Sequence, residues 1–172
     1  ATQYETGDIL PKVYGGFGTS LDAYGLDFSV SFAYQLGGRI YDDGYRALMH
    51  SGNSSFAGQN WHTDILNAWT PENTDTDVPR VYAADLYTNS SSDRWLISSN
   101  YLNLQNITLG YTLPAKWTRK IKVEKLRIYG VADNVALVSA RKGLDPRQSY
   151  TTSSMNTYAS MRSISGGISI TF

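Results

Sequence analysis

Leu26-Asp27-Phe28-Ser29-Val30-Ser31-Phe32-Ala33-Tyr34-Gln35-Leu36 alternates without a break. Leu26, Phe28, Val30, Phe32, Tyr34 and Leu36 share one face, and Asp27, Ser29, Ser31, Ala33 and Gln35 share the other. Successive side chains of a strand point to opposite faces, whereas a helix would scatter these six apolar residues round its circumference. The stretch reads as a long strand with one apolar and one polar face.

The same period recurs on both sides of it. Upstream, Val13, Phe17 and Leu21 alternate with Tyr14, Gly16, Gly18, Ser20 and Asp22, and Ala23-Tyr24-Gly25 is short enough for a hairpin turn. At the far end, Ile164, Ile168, Ile170 and Phe172 alternate with Ser163, Ser165, Gly167, Ser169 and Thr171. From Asn106 to Leu113 the pattern is equally clean, but Leu102 and Leu104 fall out of phase, which predicts a bulge or a stretch above the membrane. The faintest pattern is Leu126, Ile128, Gly130 and Ala132. Five strands follow, at about 12–22, 26–36, 101–113, 125–137 and 160–172.

Length and composition say what such strands are for. Eleven residues at ~3.3 Å each, tilted by about 40°, rise roughly 28 Å, enough to cross the ~25 Å apolar band of an outer-membrane barrel. Charged residues make up only 17%, while Tyr reaches 13 copies and Gly 15. Average soluble domains carry about 25% charge. No apolar run reaches the ~18 residues of a spanning helix, so a membrane reading requires a barrel. Zero net charge leaves no electrostatic footprint for nucleic acid, and the absence of cysteine removes disulfides, thiol catalysis and thiolate metal sites.

The connections at 23–25 and 114–124 are short, and those at 37–100 and 138–159 are long. Short periplasmic turns and long extracellular loops alternate in this way in bacterial barrels, which puts the C-terminus on the periplasmic side. Tyr24, Tyr111, Trp117 and Phe172 gather toward one end, and Tyr34, Trp95, Tyr101 and Tyr158 toward the other, as two aromatic girdles would. Five strands cannot close a barrel, which needs at least about eight. The expectation is therefore an all-β, transmembrane antiparallel barrel of which this chain holds the last five or so strands, with short helices near 43–50 and 61–69 inside the long loop.

Several stretches carry a resemblance to a known family. They are Tyr14-Gly15-Gly16-Phe17, Gly25 through Val30, Gly37-Gly38-Arg39-Ile40-Tyr41-Asp42, Trp69 through Thr74, Asp77-Val78-Pro79-Arg80 and Ser92 through Ile97. Tyr101 through Pro114, Asp133-Asn134, Gly143-Leu144-Asp145-Pro146 and the terminal Phe172 complete the set. In this order the chain resembles the C-terminal region of the SusC/RagA-type TonB-dependent transporters of the Bacteroidetes. The resemblance implies a barrel of about 22 strands in the outer membrane, filled by a plug domain that these residues do not include. It also implies a SusD-like surface lipoprotein as partner, a TonB complex as energy source acting through the absent N-terminal part, and no enzymatic activity. Import of nutrient oligomers follows, oligosaccharides first and oligopeptides as the alternative.

Candidate chemistry concentrates in 37–100. Eight acids (Asp42, Asp43, Asp64, Glu72, Asp75, Asp77, Asp85, Asp93) face four arginines there. Trp61, Trp69, Tyr82 and Tyr87 are the candidate ligand contacts, since aromatic faces beside carboxylates suit sugar rings; the alternative is that they form the loop's own small core. Asn73 through Asp77 offers alternating oxygens, but Val78 and Ala84 occupy the Gly and Glu positions of a calcium loop, so turn formation is the expected role. His50 and His62 have no metal spacing, and no GxSxG elbow supports a hydrolase. No cofactor or metal is expected. Phe172, with Ile170 and Ile168, reads as the barrel-assembly signal the family implies. A soluble carbohydrate-binding β-sandwich and an enzymatic or autotransporter barrel compete with this reading. The first should carry Lys, Glu and Thr outward where this chain has Ser, Gly, Ala and Thr.

Overall fold

A computed structural model of the chain describes residues 4–148 and 160–172. Two compact units emerge, one formed by 10–38, 99–146 and 160–172, the other chiefly by 4–9 and Arg39–Ser98.

The first unit is a sheet. Strands β1 (Val13–Ala23) and β2 (Leu26–Leu36) form a hairpin, and β5 (Tyr101–Thr112), β6 (Lys125–Ser139) and β7 (Ser163–Thr171) extend it in the order β1-β2-β5-β6-β7. All neighbours are antiparallel. Among the described residues, β1 and β7 are each paired along one edge only. No described helix is long and apolar enough to cross a membrane, which says nothing about strands.

The β1–β2 hairpin turns on two residues, because Ala23 pairs with Leu26. Tyr24 and Gly25 both have positive φ (53° and 85°), the geometry whose twist matches that of the flanking strands. Gly25 is doubly constrained. A Cβ there would lie 2.6 Å from the Thr112 carbonyl oxygen, and its own carbonyl accepts from Thr112 N–H at 2.7 Å.

Register sorts the faces into rows. Leu21, Phe28, Leu109, Gly130 and Gly166 lie side by side across all five strands, as do Thr19, Val30, Ile107, Ala132 and Ile164. On the opposite face Ser20, Ser29, Thr108, Val131 and Ser165 form a row. The phase problem at Leu102 and Leu104 resolves as a bulge at Gln105: Ser31 pairs with Asn106, but the next residue, Phe32, pairs with Leu104. One extra residue flips the parity, so Leu104 and Leu102 join Phe32 and Tyr34 on the apolar face. Next to it on β6, Asn134 adopts a left-handed φ of 49°, a conformation Asn tolerates better than most residues. The apolar face of β6 thereby continues through Ala136 and Val138, and the strand runs two residues past the expected end at 137. Strand β7 begins at Ser163 rather than near 160.

The second unit holds most of the buried apolar residues. Its parts are a short β3–β4 pair (Arg39–Tyr41 with Leu96–Ser98), helix α1 (Asp43–Leu48) and several single helical turns. Met49, Ala68, Val78 and Trp95 are buried together, with Tyr41, Tyr45 and Ile65 packed against them. Asp42 caps α1 by accepting from Tyr45 N–H at 3.1 Å. The helix expected near 61–69 shortens to a 3₁₀ segment at Thr63–Asn67, with His62 as its cap. Trp95 corrects the girdle expectation. It is 1% exposed, its indole N–H donates to the Ser90 carbonyl at 3.0 Å, and it forms this unit's core rather than a membrane-interface belt. Tyr158 lies outside the described residues.

Candidate functional site

Each unit presents one candidate surface. Six basic residues occupy 114–127. Lys116, Arg119 and Lys120 lie on a short helix α2 (Ala115–Thr118) and the helical turn after it, while Arg127 lies in β6 and, on the polar face of the sheet, pairs with Asp27 of β2. The guanidinium is bidentate, with Nε donating to Asp27 Oδ1 at 2.8 Å and Nη2 to Oδ2. The two strands are not neighbours; β5 lies between them. Contact is possible because Gly110 stands at the crossing, where a Cβ would meet the Asp27 carboxylate at 2.4 Å and Arg127 Nη2 at 2.6 Å. The same guanidinium sits 4.8 Å from the centre of the Tyr129 ring, and that ring lies over Gly167. Further along the face, Asn106 Nδ2 donates to Asp133 Oδ1 at 2.7 Å and Thr108 donates to Asn106 at 3.0 Å. Sequence reading missed the Asp27–Arg127 pair, yet a trace of it was visible: glycine inside a strand pattern marks a close approach.

The loop unit contains an open depression of about 950 Å³, lined by Tyr45, Asp64, Asn67, Asp75 and Asp77 among others. No Lys or Arg lines it. Tyr45 is held by its hydroxyl, which donates to Asp64 Oδ2 at 2.8 Å, and by edge contacts with His62 and Trp95. Asn73 works as a turn residue: its side-chain amide donates to the Asn67 carbonyl and its N–H to Thr70 Oγ1, both at 3.1 Å. Such a surface can hydrogen-bond hydroxyl groups or receive amines.

The four aromatic candidates are not brought together. Trp61 stacks on His50 with centroids 5.0 Å apart and donates its indole N–H to the His50 carbonyl at 2.9 Å. Phe56 covers the other side of that imidazole. Tyr82 lies under the Arg80 guanidinium, Trp69 is bonded through its N–H to the Val78 carbonyl, and Tyr87 stands exposed. None of the four lines the depression. Burial between two rings keeps the His50 imidazole below its ordinary pKa, partly opposed by a backbone contact with Asn60. The Asp85 carboxyl is likewise held low, first by the Thr88 hydroxyl and then by the N–H groups of Tyr87 and Thr88. Ile168 and Ile170 pair with Ile128 and Leu126 on the apolar face, exposed like Phe172 beyond them.

No protein-family model matches the chain. Among curated proteins it is 30% identical over 144 residues to TonB-dependent receptor P3 of Formosa agariphila, a match covering 84% of this chain and 14% of that protein. It is 28% identical to TonB-dependent receptor SusC of Bacteroides thetaiotaomicron over 81% of its length, and 13% of SusC is covered. The chain matches part of a SusC/RagA-type TonB-dependent receptor. Solved structures of this type agree. The RagAB peptide importer in its open-open state superposes with a TM-score of 0.73 at 26% identity, covering the whole of this chain and 19% of that one. A RagAB peptide transporter structure gives 0.75 at 26% identity, covering 95% and 17%. The chain thus spans less than a fifth of the receptors it matches, and its open five-stranded sheet corresponds to part of an outer-membrane TonB-dependent transporter barrel.

Proposed function

We propose that this chain supplies wall strands and outer loops of a TonB-dependent importer of nutrient oligomers, in a closed barrel of about 22 strands. The observation that carries the reading is the row structure of the sheet. A continuous apolar face stays exposed or half-exposed while a polar, small-residue face lies behind it, as a barrel wall between lipid and a wet interior requires. The turns at 23–25 and 114–124 then lie on the periplasmic side, with the C-terminus, and the ends of β2 and β6 that lead into the long connections face outward. Ile168, Ile170 and Phe172 serve as the assembly signal. The plug, a SusD-like lipoprotein and the TonB complex complete the machine, with outer-membrane lipid around it.

For cargo, oligosaccharides remain the first reading, with Trp61, Trp69, Tyr82 and Tyr87 as candidate contacts. Two observations favour oligopeptides as the second: the RagAB neighbours are peptide importers by name, and the loop depression offers carboxylates with no lining cation. Purification of the full transporter from outer membranes, denaturation and mass spectrometry of the released small molecules separates these. Released glycans support the first reading and released peptides the second. Uptake of either that survives loss of TonB overturns active import.

A further inference from the structure

Between β5 and β6 the chain makes a tight connection that carries charge. Helix α2 runs straight into the turn that ends at Ile121, since Thr118 and Arg119 both keep helical dihedrals. The connection is clamped to the end of the sheet. Thr118 is buried, with its hydroxyl 3.4 Å from the carbonyls of Ala115 and Glu124, and buried Val123 donates its N–H to the Thr118 carbonyl at 3.1 Å. On either side, Leu113 N–H bonds to the Leu126 carbonyl at 2.9 Å and Glu124 N–H to the Thr171 carbonyl at 2.8 Å.

Two kinds of side chain are left outside this anchor. Trp117 and Ile121, four residues and so one turn apart, are 59% and 66% exposed. Lys116, Arg119, Lys120 and Lys122 are interleaved with them, all exposed. Among the described residues none of these four cations enters an ion pair, and Glu124 is the one acid between 114 and 127.

We infer that this turn docks on phosphate-bearing lipid headgroups, its cations taking the phosphates while Trp117 and Ile121 enter the boundary beneath them. The inference rests on the proposed barrel reading, which brings 114–124 to one membrane surface. It adds a preference for anionic lipid that the apolar rows, indifferent to headgroup charge, do not supply. A small soluble anion would leave Trp117 and Ile121 in water, and an apolar protein face would leave four cations unpaired. An anionic membrane surface accommodates both sets at once.

The test places p-benzoylphenylalanine at Ile121 of the full transporter in nanodiscs of equal phosphatidylglycerol and phosphatidylcholine, and reads the photo-adducts by mass spectrometry. Phosphatidylglycerol adducts should outnumber phosphatidylcholine adducts about tenfold, since each cation near an anionic surface is worth a preference of about fivefold. Lys116→Gln, Arg119→Gln, Lys120→Gln and Lys122→Gln, made together, should bring the ratio to parity. Equal adducts with the cations intact, or an adduct with the transporter's own plug, overturns the headgroup surface. A ratio abolished by inorganic phosphate, but not by chloride at equal ionic strength, overturns the lipid as the source of the phosphate. The same probe at Ile128, on the apolar face, keeps the two failures apart. Lipid adducts at Ile128 with none at Ile121 overturn the headgroup surface alone; lipid adducts at neither position overturn the barrel reading with it.

Discussion

The sheet and the loop unit solve the same problem of apolar side chains in opposite ways. In the loop unit, Trp95, Met49, Ala68 and Val78 bury one another. In the sheet, Leu21, Leu109, Ile164 and Ile168 remain exposed, members of the rows that make up its apolar face. A self-buried core stabilises a fold in water; an exposed one needs an outside medium. The contrast teaches that membrane character here is a property of one face of one unit, and bulk composition averages it away.

The largest effect should come from breaking the loop's own core. Trp95→Ala removes a fully buried indole at a cost of about 3–5 kcal/mol. Limited proteolysis of the full transporter should then cut between residues 39 and 98, while the barrel keeps its heat-modifiable migration on gels. Simultaneous loss of both would show that the units are not separable. Next, the two faces can be set against each other. Val30→Arg, in the middle of the apolar rows, should cost about 2–4 kcal/mol in lipid, whereas Ser29→Arg, one residue away on the polar face, should be far milder. Equal heat-modifiability of the two would contradict a lipid-facing row.

A third change tests the hairpin that aligns the rows. Gly25→Val must adopt a positive φ and crowd Thr112, a strain of about 1–3 kcal/mol, and should lower the yield of assembled barrel; unchanged yield would remove Gly25 from the alignment argument. The smallest effect is one of pH and belongs to the loop. With the His50 pKa depressed in the folded state, the unfolded chain takes up the proton first as pH falls below about 6.5. Loop stability from this group is thus fully present above that pH and declines as pH drops toward the lowered folded value. His50→Phe, which keeps a ring between Phe56 and Trp61, should flatten the difference in protease resistance between mildly acid and neutral buffer.

Legibility followed the same division. Period two placed β1, β2 and the clean half of β5 within a residue, because strand geometry is local and forces neighbouring side chains apart. Leu102 and Leu104 announced an irregularity, but only pairing with β2 shows that Gln105 is the residue squeezed out. The loop was opaque for the converse reason. Trp61 and Trp95 look alike in sequence, and nothing local distinguishes a ring stacked on His50 from one forming the centre of a core. The depression was equally hidden, since Tyr45 and Asp64 are nineteen residues apart and meet only through the fold.

Gly110 and Gly167 have one more consequence. By removing side-chain thickness where Arg127, Asp27 and Tyr129 cross, they let a long cation, its counter-ion and an aromatic ring lie tangentially along the wall rather than radially. In a closed barrel that arrangement conserves cross-section: the interior keeps the width of a glycine row while still carrying charge, and the space saved is available to whatever occupies or traverses it.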